Sequence, residues 1–315
     1  MFLFKWYMKS KNIFITGGAG FLGKNVIKRY YDNNRITVYS RDEAKHYYLK
    51  KQFPNINCII GDVRNYDLLK RASKGHDIGI FAASLKQIES VDQNVEESLE
   101  VIVRGAINSR RISEENNFEA SCFISSDKSR SATTLYGSMK FVAGESFIVN
   151  ADKSLIRLST AIYGNVLNST GSIIPLIWNA IQNQYSLKLY STEMTRFMIT
   201  VDQAIDLIEE AIKVNGYNVI PKVKSFKILD LFEIYRDLYG LKYTIDVPRI
   251  SEKIHEIMIS NEELSRVKQL DNYYYMHYKN TFNEVNFIDH EYSSKNVCVT
   301  KDELNLILQK FNYFK

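Results

Sequence analysis

Cysteine is scarce in this sequence. Its 315 residues include only Cys58, Cys122 and Cys298, widely spaced and without a CxxC pair. This pattern excludes a disulfide framework and offers no cluster of zinc ligands. We therefore expect a protein of a reducing compartment that binds no metal.

Long hydrophobic runs are absent as well. The opening MFLF meets Lys5 after four apolar residues, which is too soon for a signal peptide or a membrane-spanning helix. We therefore expect a cytoplasmic protein with no membrane association.

Charge of one sign is also lacking. Lysine and arginine number 41 against 36 aspartates and glutamates, and the basic clusters are broken by acids. This balance argues against a nucleic-acid-binding face, whereas the slight positive excess is compatible with an anionic small molecule.

What is present predicts a folded protein. A chain of 315 residues with 45% hydrophobic content can bury a large core and add a smaller lobe. Apolar runs such as RITVYS, NCIIGDVR, DIGIFAASLK and ASCFISSDK alternate with helical patterns such as NVEESLEVIVRGAINSRRI. This alternation predicts an α/β protein with a Rossmann-like, doubly wound parallel sheet, whose strands end in polar residues along one rim.

A glycine-rich turn follows the first of these strands. The segment NIFITGGAGFLGKNVIKRYYDN is a strand, a turn and a helix, and Gly17, Gly20 and Gly23 fit the spacing GxxGxxG. Glycines keep the turn tight and let a pyrophosphate approach the helix N-terminus. We therefore predict a dinucleotide site, the alternative being a purely structural turn.

The second strand carries the signal for cofactor choice. Ser40 and Arg41 at the end of RITVYSRDE offer a hydroxyl and a guanidinium to a ribose 2′-phosphate, which favours NADP. In the alternative, Arg41 is a surface residue and Asp42 binds the ribose of NAD.

A third motif carries candidate catalytic groups. In SSDKSRSATTLYGSMK, Tyr136 and Lys140 are four residues apart and would share one face of a helix. Asp127 and Lys128 follow a predicted strand, where open α/β sheets place their active sites.

These motifs resemble the extended short-chain dehydrogenase/reductase family, and more narrowly the inverting UDP-N-acetylglucosamine 4,6-dehydratases. The narrower resemblance also includes, in chain order, VYSRDE, GDVR, AASLK, SSDKS, LYGSMK, YGNVLNSTGSIIPLI, MTRFMITVDQA, EKIHEIMI and EYSSKN. The aspartate and lysine of SSDK are the most specific, since retaining dehydratases carry aspartate and glutamate there and the epimerases carry neither.

The resemblance implies a role for each catalytic residue. Tyr136 would take the proton of the sugar 4-hydroxyl, and Lys140 would lower the pKa of Tyr136 and hold the nicotinamide ribose. Lys128 would remove the proton on carbon 5, and Asp127 would protonate the departing 6-hydroxyl. An amine can act as a base only if its pKa is lowered, and we expect burial beside another cation such as Lys86 to lower that of Lys128.

The resemblance also implies the binding residues, for NADP as cofactor and for UDP-N-acetylglucosamine as substrate. The predicted cofactor-binding residues are Gly17, Gly20, Phe21, Leu22, Gly23, Ser40, Arg41, Asp62, Val63, Ala82, Ala83, Tyr136 and Lys140. The predicted substrate-binding residues are Lys86, Asn165, Ser172, Arg196, Arg249 and Glu252. For Asn165, Ser172, Arg249 and Glu252, a buried cap or a surface pair is the alternative.

The resemblance divides the chain into two lobes. Residues 10–165 would form the NADP-binding Rossmann domain, to which 196–240 would return. Residues 166–195 and 241–315 would form a smaller C-terminal lobe that binds the nucleotide sugar. We also expect a homo-oligomer, of a size that the sequence leaves open.

Some positions depart from the family pattern. Phe81 replaces a histidine, and Gln87 lies in a segment that replaces a run with histidine and proline. Ile102 replaces an asparagine, Ile162 an arginine and Ser126 a threonine. Because these changes surround the substrate, they leave the exact sugar open. Two other functions also stay open, a UDP-sugar 4-epimerase and a non-catalytic NADP-binding regulatory protein.

Overall fold

A large, mostly parallel β-sheet with helices on both faces forms the centre of the molecule. The computed structural model describes residues 8–248, 250–282 and 288–314. The strands in these ranges are β1 (Asn12–Thr16), β2 (Arg35–Ser40), β3 (Asn57–Ile60), β4 (Ile78–Phe81), β5 (Ala120–Ile124), β6 (Arg157–Ala161), β7 (Asn165–Val166), β8 (Leu187–Leu189), β9 (Thr195–Ile199), β10 (Tyr217–Pro221), β11 (Ser225–Lys227), β12 (Tyr243–Ile245), β13 (Ile257–Ile259), β14 (Val267–Leu270), β15 (Tyr273–His277) and β16 (Tyr292–Ser293).

The helices alternate with the strands through the first half of the chain. They are α1 (Phe21–Tyr30), α2 (Glu43–Gln52), α3 (Tyr66–Ala72), α4 (Ile88–Gln93), α5 (Val95–Leu99), α6 (Gly105–Glu115), α7 (Leu135–Ile148), α8 (Ile173–Asn183), α9 (Val201–Ala211), α10 (Ile228–Tyr239) and α11 (Lys301–Lys310). A π-helical segment, Glu100–Arg104, joins α5 to α6.

The strand order creates a crevice at the carboxyl end of β1. Among the described residues the large sheet runs β14-β15-β10-β6-β5-β4-β1-β2-β3. From β1 the chain moves outward to β2 and β3, then returns to add β4, β5 and β6 on the other side, all in parallel. Ligands bind where such an order reverses. The predicted Rossmann-like, doubly wound fold is confirmed.

Side chains from β1 show why both faces of the sheet are covered. Ile13 and Ile15 pack in one hydrophobic cluster, whereas Phe14 between them packs in another on the opposite face. Alternate residues of a strand point to opposite faces, so a strand buried on both sides is apolar throughout. This explains the unbroken apolar runs of the sequence.

The segments predicted for the two lobes lie as follows. Residues 157–161 and 217–221 are in the large sheet, and β14 and β15 extend it in antiparallel fashion. The strands β7, β9 and β11 form a separate three-stranded sheet, and α8, α10 and α11 share a hydrophobic cluster. The division into a cofactor lobe and a substrate lobe stays a prediction.

None of the helices in the described part of the chain is both long enough and apolar enough to cross a bilayer.

A buried arginine ties the turn after β5 to the rest of the molecule. Arg130 is 1% exposed and donates to Glu263 Oε1 at 2.8 Å and to Glu145 Oε1 at 3.0 Å. These partners lie on α7 and on a turn before β14. Removing one member of a buried ion pair leaves an uncompensated charge.

We expect Arg130→Met to lower the free energy of unfolding by about 3 to 5 kcal/mol. The control Arg111→Met removes an arginine whose side chain is 55% exposed and 3.8 Å from Glu115, and it should cost about 1 kcal/mol or less. Urea titration of both variants measures the difference. Equal losses would contradict the structural role of Arg130.

Candidate active site

One cleft collects nearly all the predicted site residues. It has a volume of about 870 Å³ and opens along the carboxyl ends of the central strands. All thirteen predicted cofactor-binding residues line it, and so do Asp127, Lys128, Lys86, Asn165 and Ser172. Its size is at the upper end of the range for small-molecule sites. Motifs far apart in the sequence therefore share one cavity.

The glycine turn after β1 forms one end of the cleft. Gly17 has φ +69°, and a Cβ there would lie 2.8 Å from the backbone nitrogen of Ala83, so only glycine fits. Helix α1 begins after Gly20 with no side-chain cap and no acidic residue in its first turn. Its free N–H groups and positive dipole end suit an anion. The turn therefore fits the pyrophosphate of a dinucleotide.

Polar groups at the ends of β2 and β3 surround the region predicted for the adenosine ribose. Ser40 Oγ is 2.6 Å from His46 Nε2. Arg41 Nη1 lies 3.6 Å from Asp62 Oδ2, and its side chain is 53% exposed. Asp42 caps α2 by accepting from Lys45 N at 2.9 Å and also pairs with the Lys45 amine. The carboxylate that the NAD alternative requires is thus already engaged.

Helix α7 brings Tyr136 and Lys140 to the cleft wall. A Cβ on Gly137 would lie 2.3 Å from the carbonyl oxygen of Lys128, so this glycine permits the helix to approach the turn after β5. Lys140 is buried and donates to the carbonyl oxygen of Ile124 at 2.9 Å. Because burial disfavours its charge, the pKa of Lys140 falls to about 7.

Asp127 and Lys128 lie in a 3-10 turn directly after β5. Ser126 caps this turn, accepting from Lys128 N at 3.3 Å and donating to Asp127 Oδ1 at 2.9 Å. Lys128 Nζ is 3.4 Å from Asp127 Oδ1 and 3.0 Å from Glu256 Oε1. The ammonium thus lies between two buried carboxylates.

The two carboxyl groups differ in proton affinity. Burial raises the pKa of Asp127, and the attraction of Lys128 only partly offsets it. Burial also acts on Glu256, but Lys128, Arg196 and Lys253 together hold its pKa below the usual value. The pKa of Asp127 thus moves up and that of Glu256 moves down, and such a separation of two pKa values marks Asp127 as the candidate acid.

The predicted pKa changes of Lys128 and Tyr136 are wrong. Burial alone would lower the pKa of Lys128, but Asp127 and Glu256 outweigh it and the pKa is raised. Lys86 instead donates to the carbonyl oxygen of Thr170. Burial raises the pKa of Tyr136 to about 12, and the cation that partly offsets this is Lys128 rather than Lys140.

The predicted substrate-binding residues fall into two groups. Asn165 and Ser172 line the cleft, and the hydroxyl oxygen of Ser172 is buried without a partner. Arg196 and Glu252 are not among the lining residues and pair with each other, Nη2 to Oε1, at 2.6 Å. Arg249 lies outside the described residues.

Ser126 and Glu256 also belong to the site, although they are absent from the predicted site residues. Ser126 lies beside Asp127, and this place in the sequence was a usable signal. Glu256 lies in the segment EKIHEIMI, which is part of the resemblance but does not show which residue Glu256 contacts. Only the packing of β13 on the turn after β5 brings it to Lys128.

The sequence is similar to a known protein family and to individual members of known function. Residues 13–278 match the family described as polysaccharide biosynthesis protein. A UDP-N-acetylglucosamine 4,6-dehydratase (inverting) from Campylobacter jejuni is 34% identical over 276 residues, 84% of this chain and 82% of the relative. A UDP-glucose 4-epimerase from Rickettsia bellii is 31% identical over 281 residues, with the same coverage of 84% and 82%.

A solved structure extends the similarity to almost the whole chain. The X-ray structure of Pen from Bacillus thuringiensis has a TM-score of 0.90 and 25% identity, covering 98% of this chain and 100% of that one. The resemblance found in the sequence is therefore confirmed, and the chain belongs to the polysaccharide biosynthesis protein family, with the fold of the extended short-chain dehydrogenases/reductases.

Proposed function

We propose that the protein is a UDP-N-acetylglucosamine 4,6-dehydratase that inverts carbon 5 and uses NADP. Its product would be a UDP-2-acetamido-2,6-dideoxy-L-hexos-4-ulose for deoxyamino-sugar biosynthesis. The observation that carries the proposal is the Asp127 and Lys128 pair, which lines the same cleft as Tyr136 and Lys140. The Campylobacter jejuni relative supports the substrate and the reaction.

The first half of the reaction concerns the sugar 4-hydroxyl. NADP, when bound, supplies a hydride acceptor for carbon 4 and a hydride donor for carbon 6. Tyr136 takes the hydroxyl proton as the phenolate, after the phenol has released its own proton to solvent, and the Lys128 ammonium favours that release. Lys140, with its pKa near 7, gains its proton once an anion lies beside it.

The second half removes water from carbons 5 and 6. The new ketone acidifies the carbon 5 proton, which Lys128 Nζ takes. Asp127, which holds its own proton, gives it to the departing 6-hydroxyl. Carbon 5 then receives a proton from the opposite face, which gives the L configuration.

The proposed cofactor rests on the charges at the end of β2. Arg41 offers an exposed guanidinium there, and Asp42 is occupied in capping α2. A 2′-phosphate would meet a cation and no free carboxylate, which favours NADP over NAD.

The cellular compartment and the oligomeric state are further parts of the proposal. Cys58, Cys122 and Cys298 are free thiols in the structure, which supports a reducing compartment, and we propose the cytoplasm. The homo-oligomer stays a prediction.

A UDP-sugar 4-epimerase is the second candidate, because the Rickettsia bellii relative is named as a UDP-glucose 4-epimerase. Such an enzyme needs Tyr136, Lys140 and the dinucleotide site but has no use for an elimination pair. The two candidates therefore predict different products from one substrate.

Incubation with UDP-N-acetylglucosamine and NADP in deuterated water separates them. We expect a 6-deoxy-4-keto product with deuterium on carbon 5 in the L configuration, identified by NMR. In Lys128→Met, oxidation at carbon 4 should still occur, at a lower rate because Tyr136 loses the nearby ammonium, while release of 6-deoxy product falls by about 10²-fold or more. The surface control Lys70→Met should behave as the unmodified enzyme. UDP-N-acetylgalactosamine as the product would favour the epimerase, and full dehydration by Lys128→Met would overturn the assignment.

Cofactor choice is tested by Arg41→Ala. A hydrogen bond from arginine to phosphate contributes about 1.5 to 3 kcal/mol, so this variant should lose about 10- to 100-fold in affinity for NADP and little for NAD. Calorimetric titration with both dinucleotides measures the change. Arg35→Ala, at the other end of β2, is the matched control. Equal affinity of the unmodified protein for NAD and NADP would contradict the assignment.

Burial of the Lys140 ammonium should lower the free energy of unfolding. The pKa falls from 10.5 to about 7 on folding, so the unfolded chain binds the extra proton between these values and stability rises with pH there. Lys140→Met should therefore stabilise the protein by several kcal/mol at about pH 6, and by about half as much at about pH 9. Urea titration without added cofactor measures this, with Lys70→Met as control. A stability gain that does not change with pH would show that Lys140 is not buried as an uncompensated amine.

A further inference from the structure

The position of Glu256 has no explanation in the catalytic roles derived so far. It is 3% exposed, yet Oε1 lies 3.0 Å from Lys128 Nζ, closer than the 3.4 Å of Asp127 Oδ1. Its backbone is fixed by Ser294, which accepts from Glu256 N at 2.9 Å and donates its own N–H to Glu256 O at 2.8 Å. The carboxylate is thus held against the amine by a separate strand pair.

The charged and titratable groups around this contact come from four segments. Asp127 faces Lys128 from the turn after β5, and the charge of Lys128 lowers the pKa of Tyr136 on α7. Arg196 Nε lies 3.7 Å from Glu256 Oε1, and Lys253 Nζ lies 3.7 Å from Oε2. Oε2 accepts no hydrogen bond in the structure.

This arrangement poses a chemical problem for the proposed reaction. A lysine held between two carboxylates carries its proton, and an ammonium group has no lone pair with which to take the carbon 5 proton. The proton on Lys128 must leave first. Asp127 is the acid of the proposed elimination, so its carboxyl must keep a proton for the departing hydroxyl.

We propose that Glu256 is a positioning residue that accepts the ammonium proton of Lys128 and so leaves Lys128 Nζ as the free amine that acts on carbon 5. This inference rests on the proposed dehydratase function. The donor and acceptor atoms are already at hydrogen-bond distance, so the transfer requires no movement of the chain.

Substrate binding would favour this transfer. A bound nucleotide sugar would exclude water from the cleft that Lys128 lines. Burial disfavours both charges of the pair and favours the neutral amine and acid.

The protons balance over one turnover. The Lys128 N–H bond breaks and a Glu256 O–H bond forms; the amine then takes the carbon 5 proton as Asp127 releases its own proton to the leaving water. The Lys128 ammonium next returns a proton to Asp127 Oδ1, its second partner. Glu256 finally gives its proton back to the Lys128 amine, and the carbon 5 proton comes from solvent through the opposite face.

The test is the pH dependence of elimination in single turnovers with substrate deuterated at carbon 5, whose isotope effect identifies the step. In the unmodified enzyme the rate should stay flat between about pH 6 and about pH 9, since the proton stays inside the pair. In Glu256→Gln, Lys128 must release its proton to solvent. The rate should fall by about 10²-fold at about pH 7 and rise by about tenfold per pH unit above it.

Further variants show whether the change in Glu256→Gln comes from loss of the proton acceptor or from a general effect of the substitution. Glu256→Asp keeps an acceptor and should restore a flat profile at a lower rate. Glu193→Gln, an exposed carboxylate that pairs with Lys227, should leave rate and profile unchanged. Affinity for UDP and oxidation at carbon 4 should be the same in Glu256→Gln as in the unmodified enzyme, because neither depends on the free amine.

Each contrary result has a distinct meaning. If the rate of Glu256→Gln does not depend on pH, Glu256 is not the acceptor. The same holds if the rate of this variant falls as the pH rises, because that fall would report loss of the Asp127 proton. A tenfold rise per pH unit in the unmodified enzyme overturns the inference without any variant. If the unmodified enzyme forms no 6-deoxy product at all, the proposed function fails and the inference fails with it.

Discussion

One ammonium group shared by two buried carboxylates is the interaction on which this site depends. Lys128 is the common partner of Asp127 and Glu256, and its charge also acts on Tyr136. Burial raises the pKa of Asp127, whereas Lys128, Arg196 and Lys253 together lower that of Glu256. A proton donor and a proton acceptor are thus placed within reach of a single amine.

The fold assembles this cluster from segments that are distant in the chain. Asp127 and Lys128 follow β5, whereas Glu256 precedes β13, which packs on the turn that carries them. Arg130, which is buried, links the same turn to Glu145 and Glu263 through ion pairs. The turn after β5 is therefore tied to α7 and to the segment before β14, and Glu256 reaches it from the second half of the chain.

Local motifs explain how much of this was predictable. The glycine turn, the strand ends and the pair Tyr136 and Lys140 depend on spacings of a few residues, and every cofactor-binding residue predicted from them lines the cleft. The edges of the large sheet and the pairing of Arg196 with Glu252 depend on contacts between residues far apart in the sequence, which no local pattern reports. The sign of the pKa change at Lys128 was predicted wrongly, because Asp127 and Glu256 set it together and the sequence does not report that Glu256 lies against Lys128.

Isotope-edited infrared spectroscopy of the carboxyl groups tests the central claim most directly. At about pH 7 the account predicts a protonated carboxyl band in the unmodified protein that disappears in Asp127→Asn, while the Glu256 signal has the frequency of a carboxylate. A protonated band that survives Asp127→Asn, or no such band in the unmodified protein, would contradict the division of charge on which the account rests.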